Sequence, residues 1–265
     1  AAPGDAAPAC NAGTAVTTIT DFSTDPIIYQ YDTGNPAYYY SYTICITDAA
    51  SNETSSDQAT NVQAKSSATS IYHFDAAYMD GSANSGDIAT ATVDPWDDLN
   101  NTGSDGDLVN FNFNTADSGW QGDGSTGSPY RLRFDGTNDY VDRSSAPTKT
   151  YSIWFNADTI SNTTYQMLFE KYDGGSQDSY AYVRSSALSV KYKTSGVYSV
   201  GITTGEWYHV VISCDGTNVR FYLNGVQFAS EAETEETMTA TMRIGSNFGA
   251  NNYYLDGSMA RFQIY

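Results

Sequence analysis

The sequence is poor in positive charge, in histidine and in cysteine, and it has no long apolar run. Its 12 Lys and Arg stand against 31 Asp and Glu, a net charge of −19. A surface of that sign repels a phosphate backbone, which excludes nucleic acid as a partner. No stretch of about 18 apolar residues occurs and no basic start leads into an apolar segment, so neither membrane insertion nor a signal peptide is read. There are two histidines and no Ser-His-Asp order, HExxH or Cys-His cluster, so those routes to catalysis lack their parts. The small charged fraction does not mean disorder, because 40% of the 265 residues are apolar, with 22 Tyr and 11 Phe among the chain's aromatics. That is enough to build a core.

Three cysteines are present. Cys10 follows a Pro-containing start and Cys45 lies in the alternating strand YYYSYTICITD, so a Cys10–Cys45 disulfide is expected within one small unit. It would close a loop of about 35 residues and add on the order of 3–4 kcal/mol to a module with little core. Cys214, in YHVVISCDG, has no basic neighbour to lower its pKa and reads as a small packed thiol at a strand end. The expected outcome is extracellular: the chain is rich in Thr, Ser, Asn, Tyr and Gly, and a disulfide needs an oxidising compartment.

What the chain does contain is strands. Two short apolar runs broken by Asp-Gly, LRFDGTNDYV (132–141) and LDGSMARFQIY (255–265), enclose a series of alternating segments that ends in the Asn-Gly hairpin GTNVRFYLNGVQF (216–228). The two runs are expected to pair inside one sandwich, each Asp-Gly marking a turn. In YSIWFN, Tyr151, Ile153 and Phe155 share one face and Trp154 takes the other. In the same way Ala181 and Val183 oppose Tyr180, Tyr182 and Arg184; Val190 and Tyr192 oppose Lys191 and Lys193; Phe221 and Leu223 oppose Arg220 and Tyr222. The fold class read from this is all-β, a two-sheet antiparallel jelly-roll sandwich over 67–265 preceded by a small β module over 1–66, with SSATS (66–70) as the boundary. Residues 71–130 read as an opening strand plus long surface loops, with Trp96 in a turn cluster.

The order W-x-D-L-x-N-x-G-x-D-G (96–106), L-x-F-D-G-x-x-D-Y-V (132–141), a Trp-containing strand at Trp154, WYHVV (207–211), Y-x-N-G (222–225) and Asp256-Gly257 resembles the laminin G-like, concanavalin A-like jelly rolls over about 170 residues. The N-terminal stretch YYYSYTICITDAASNETSSDQATNVQAK resembles the last hairpin of fibronectin type III-like repeats of bacterial surface proteins, with the unit shorter than such a repeat. The first resemblance implies calcium near Asp135, Asp139 and Asp256, with Asp98 less securely placed. Turn aspartates bonding their own backbone are the equal alternative. It also implies ligand binding at the loops of one rim, where Tyr165, Tyr172, Asn252, Tyr253 and Tyr254 fall.

A second candidate surface is the outward aromatic and basic set Trp154, Tyr180, Tyr182, Arg184, Lys191, Lys193, Arg220 and Tyr222, read as one face suited to stacking and binding acidic sugars. Its plain alternative is half-buried sheet surface covered by residues 71–130 or by another subunit. His209 occupies a family position that packs beside the tryptophan. The fold also hosts glycan-cleaving enzymes, which need two carboxylates about 5–10 Å apart across a cleft. The dense acidic run EAETEE (231–236) lacks the apolar-Asp-apolar core of the family's catalytic strand and reads as a solvated loop. No catalytic residue and no enzyme activity are therefore expected. The expected role is a lectin-like, adhesin-type domain at the end of a modular surface protein, with a glycan or glycosylated cell surface as partner. The alternatives are a structural cap of a fibre built as a homo-oligomer, and an accessory module of a polysaccharide-degrading enzyme.

Overall fold

The computed structural model describes residues 39–47, 53–63, 71–89, 91–100, 105–125, 127–145, 148–172, 177–236, 240–249 and 253–265. The chain divides into two units, Ala1–Thr69 and Ser70–Tyr265. In the first, β1 (Tyr39–Thr47) and β2 (Glu53–Gln63) pair antiparallel from Tyr39↔Gln63 to Thr47↔Glu53, with two register shifts. These are the strand and the polar return strand expected there. Cys10 lies outside the described residues, as does the side chain of Cys45, so the expected disulfide falls outside them.

The second unit is a sandwich of two antiparallel sheets. One holds seven strands: β12 (Tyr198–Gly201), β11 (Ala187–Lys191), β10 (Gln177–Arg184), β9 (Gln166–Tyr172), β16 (Ala240–Ile244), β7 (Tyr140–Ser145) and β4 (Asp107–Val109), in that order. The other runs β15 (Val226–Ala232), β14 (Asn218–Leu223), β13 (Trp207–Cys214), β8 (Thr150–Ala157), β17 (Asp256–Ile264), β6 (Arg131–Asp135) and β5 (Gly119–Gln121), with β3 (Tyr72–Asp75) also paired to β17. Among the described residues the one helical element is a 3-10 turn, Ala76–Tyr78, and no helix is long and apolar enough to cross a membrane.

Period-2 alternation assigns the faces. Tyr151, Ile153 and Phe155 are fully buried while Trp154 between them is 38% exposed, and Ala181, Val183, Val190, Tyr192 and Phe221 likewise point into the core. Side chains from the two inner faces interdigitate: Tyr151 of β8 stacks on Phe169 of β9 at 4.5 Å, and Phe169 meets Phe262 of β17 edge-on at 5.6 Å. Aromatic pairs of this geometry add about 0.5–1.5 kcal/mol to their area burial.

The two Asp-Gly runs do pair, Asp256↔Asp135 through Met259↔Leu132. Their glycines differ in role. Gly136 has φ +72° and forms the corner by which the chain leaves β6 in one sheet for β7 in the other. Gly257 is no turn: it lies within β17, and a Cβ there would sit 2.3 Å from the carbonyl oxygen of Asn156. The backbone of the neighbouring strand β8 comes too close at that point for any side chain. The Asn224-Gly225 hairpin has positive φ at both residues, 50° and 80°, the primed turn that the dipeptide favours.

Residues 71–130 correct the expectation of surface loops. They place β3, β4 and β5 in or beside the two sheets and bury Trp96 and Trp120, whose rings meet at 5.5 Å and 85°, with Phe74 5.5 Å from Trp96. The acidic run is likewise no solvated loop. Glu231 accepts from the Gly196 amide (2.7 Å) and the Tyr198 hydroxyl (3.1 Å), Glu233 from the Thr194 amide (3.1 Å), and Glu235 pairs with Lys149 at 2.9 Å. Glu236 enters the core and pairs with the fully buried Lys171. A charged strap thus closes the gap between the two sheets beside β15.

Candidate functional site

The outward faces of the two sheets point away from each other, and this splits the aromatic and basic set expected on one face. Trp154, Arg220 and Tyr222 belong to β8 and β14 of the eight-stranded sheet; Tyr180, Tyr182, Arg184 and Lys191 belong to β10 and β11 of the seven-stranded one. Lys193 joins neither. It follows β11 with φ +49°, and its ammonium lies 3.4 Å from Glu233. Alternation within a strand tells which side chains face outward and is silent on which sheet the strand enters.

On the eight-stranded sheet Trp154 lies flat on His209 at 4.7 Å and 6°, and the His209 ring is held at 2.9 Å from the Ser152 hydroxyl. His209 thus packs beside the tryptophan as expected. Arg220 is paired with Asp215 at 2.6 Å, which holds the Asp215 carboxyl down at about 2 together with two backbone amides of its own turn.

On the seven-stranded sheet the rings converge. Tyr182 and Tyr180 stand 5.8 Å apart along β10. Tyr165, from the approach to β9, meets Tyr182 edge-on at 4.8 Å and Tyr253 at 5.0 Å. Arg184 lies over the Tyr165 ring at 4.4 Å, and Lys191 is 5.8 Å from the Tyr180 ring centre. Farther across the sheet Tyr172 stacks on Phe248 at 5.7 Å, while Arg243 sits over both Phe248 (4.7 Å) and Tyr140 (4.3 Å) and pairs with Asp142 at 2.9 Å. Each ring stays half exposed. Burial, and then the neighbouring Tyr182, raise the Tyr180 phenol, so its hydroxyl is a donor at neutral pH.

The two sequence candidates thus merge in part: Tyr165 and Tyr253 of the expected rim join Tyr182 and Arg184 of the expected face, while Tyr172 stacks on Phe248 farther across the same sheet. Loops before β9 and β17 fold onto the sheet, anchored where the Met167 amide donates to the Tyr253 carbonyl at 3.1 Å. Tyr254 is half-buried and makes no ring contact among the described residues, and Asn252 lies outside them. Phe248 and Arg243 escaped sequence reading. Arg243 stands at an outward position of TMRI, so alternation could have found it; Phe248 is in a loop with no periodic signal.

The expected calcium ligands are neighbours in space but do not form a cage. Asp135 accepts from the amides of Thr137 (2.8 Å) and Asn138 (3.1 Å), capping its own turn. Asp256 pairs with Arg133 at 2.8 Å and accepts from Thr159 at 2.6 Å. Asp139 is wholly buried, with one oxygen accepting from the Asp135 amide at 3.0 Å and the other without a partner. Burial raises its carboxyl to about 6. Asp98 ties its loop to β3 by accepting from the His73 amide and turns the loop by accepting from the Asn100 amide. Among the described residues no group of three His, Cys, Asp or Glu is placed to hold a metal. Of the three aspartates Asp256 is already paired with Arg133, and Asp135 and Asp139 accept from backbone amides of their own turn.

Residues 135–265 match the family described as the concanavalin A-like lectin/glucanases superfamily. That match falls within the second unit, whose two antiparallel sheets form a jelly-roll sandwich. Comparison with curated proteins gave no match. Among solved structures, Trypanosoma rangeli sialidase in complex with a difluoro-KDN superposes with a TM-score of 0.50 at 13% identity, covering 74% of this chain and 30% of that one. Domain 4 of AbnA, an extracellular arabinanase from Geobacillus stearothermophilus, in complex with arabinotriose gives 0.48 at 15% identity, covering 74% and 91%. The CBM40 of Ruminococcus gnavus IT-sialidase, bound to α2,3 sialyllactose, gives 0.39 at 16%, covering 46% and 76%. The likeness is one of fold.

Proposed function

We propose that the second unit is a glycan-recognition module that binds without chemical conversion, carried by a modular extracellular or cell-surface protein in the manner of an adhesin. The observation that carries this reading is the outer face of the seven-stranded sheet, where Tyr165, Tyr180, Tyr182 and Tyr253 form a continuous half-exposed aromatic surface with Arg184 over one ring. Sugar rings present apolar C–H faces edged by hydroxyls, and aromatic rings with phenolic hydroxyls on a rigid sheet complement both. Two of the solved relatives are described as bound to oligosaccharides, which agrees with this reading without deciding it. That the acidic run is engaged in structural contacts, from Gly196 to Lys171, supports binding over hydrolysis. The test is a glycan array with the whole chain, run with calcium and with chelator, beside Tyr165→Ala and Tyr182→Ala. Retained glycan signal in both variants sinks the assignment. If chelator abolishes binding, the site depends on a bound metal, and Asp135→Asn and Asp256→Asn then test whether those residues hold it.

A further inference from the structure

The opposite sheet carries a depression built by a single cross-strand row. Arg133 of β6 faces Ser258 of β17, Ser258 faces Asn156 of β8, and Asn156 faces Trp207 of β13. Directly opposed residues share a face of the sheet, so two short side chains lie between an arginine and a tryptophan. The result is a cleft of about 350 Å³, extended at one end by Gln121 and Arg131, which face each other across β5 and β6. This is at the small end of the range of ligand pockets.

The two arginines differ. Arg133 is neutralised by Asp158 at 2.9 Å and Asp256 at 2.8 Å. Arg131 donates only to neutral acceptors, the Gln121 carbamoyl oxygen at 3.1 Å and the Pro129 carbonyl at 3.0 Å, and among the described residues no carboxylate lies within ion-pair distance of it. In a chain with 31 acidic residues and 12 basic ones, this half-buried guanidinium hydrogen-bonds to neutral groups, while Asp158 and Asp123 act on it from beyond ion-pair distance. Its burial lowers its pKa, with Asp158 opposing and Arg133 adding to the effect, so an incoming anion would relieve that cost. Asn156 is the second sign: it is 8% exposed and lines the cleft, and its carbamoyl oxygen is buried without a hydrogen-bond partner, so a turn of the carboxamide toward a ligand in the cleft would satisfy it. Buried polar groups are ordinarily satisfied.

We infer that this cleft is a second binding site, on the face opposite the aromatic surface, for a sugar unit bearing a carboxylate: Arg131 takes the carboxylate, Asn156 and Ser258 take ring hydroxyls, and Trp207 forms the apolar wall. The inference goes beyond the glycan reading of the other face and does not depend on it. The test is titration of the isotope-labelled full chain with glucuronate, galacturonate and glucose, followed by NMR. Saturable shifts at the Trp207 indole, with either uronate bound at least tenfold tighter than glucose, are expected. Arg131→Gln should remove that preference. Gln121→Glu, which supplies Arg131 with a carboxylate of the protein's own, should weaken uronate binding at least tenfold while the chain stays folded, and guards against misfolding of the first variant. Tyr165→Ala should leave these shifts unchanged. Uronates binding no tighter than glucose, shifts that bypass Trp207, or wild-type uronate affinity in a folded Gln121→Glu overturns the inference.

Discussion

Two polar and aromatic clusters of this protein use the same side chains to opposite ends. Inside the sandwich, Glu236 pairs with Lys171, accepts from Tyr151 at 3.0 and 3.2 Å and from Ser179, and its own amide donates to Tyr192, whose hydroxyl donates in turn to the Thr148 carbonyl at 2.7 Å. Burial and the Glu236 charge drive the Tyr151 phenol far above its ordinary range, so it is locked as a donor. On the outer face of the seven-stranded sheet, Arg184 lies over Tyr165 and donates to the Asn162 carbonyl at 3.4 Å, with no carboxylate in ion-pair distance among the described residues. The first arrangement is closed: desolvation makes any missing partner costly, so every oxygen of the carboxylate is taken. The second is open, because water satisfies what the protein leaves and a ligand can replace that water. Residue type alone does not separate structure from recognition; the completeness of pairing does.

The largest expected effect comes from breaking the closed cluster. Glu236→Ala leaves the Lys171 ammonium buried and unpaired, and denaturant unfolding should show a loss of about 3–5 kcal/mol. Replacing both, Lys171→Met with Glu236→Leu, should recover most of it; a double variant as unstable as the single one would show that the cluster acts by geometry and not by charge. On the open side Arg184→Gln should lower affinity for acidic glycans severalfold and leave neutral ones and the melting temperature nearly unchanged, measured by calorimetry on hits from the array. Equal loss for both glycan classes would mean that Arg184 works by holding Tyr165.

Asp139 sharpens the comparison, since it is buried yet left half-satisfied. Its carboxyl is raised to about 6, so the folded state holds its proton more tightly than the unfolded chain. The associated stability is fully present below the ordinary Asp value near 4 and is lost as pH rises through about 6. Asp139→Asn should remove that dependence, read as the difference between wild-type and variant melting curves from pH 4 to 7; parallel curves would refute it. The smallest effect is expected at the hairpin. Gly225→Ala meets no neighbouring atom within 4 Å and costs only its positive φ, about 1 kcal/mol.

Much of the fold was legible because burial enforces period 2: the core positions of YSIWFN, YAYVR and RFYLN and the primed Asn-Gly turn follow from local pattern, whereas the pairing of the two Asp-Gly runs was expected from the order of segments along the whole chain. The site was legible in pieces. Tyr165, Tyr172, Tyr182, Arg184 and Tyr253 could be picked as outward or loop aromatics and cations, yet nothing local says that Tyr165 and Tyr182 touch. The row Arg133–Ser258–Asn156–Trp207 was invisible for the same reason, since its members come from four strands spread over 126 positions of the chain (133 to 258).

What the amino-acid sequence determined by itself is most of the strands after residue 130, their inward faces and the net negative charge, because alternation, turn chemistry and charge are local properties of the chain. Only the tertiary structure decided which sheet each strand joined, and with it the separation of Trp154 from Tyr182, the burial of Glu236 against Lys171 and the cleft beside Arg131. Strand order is set by long-range packing of two sheets, and a side chain's partners come from whichever strand lies next to it in space.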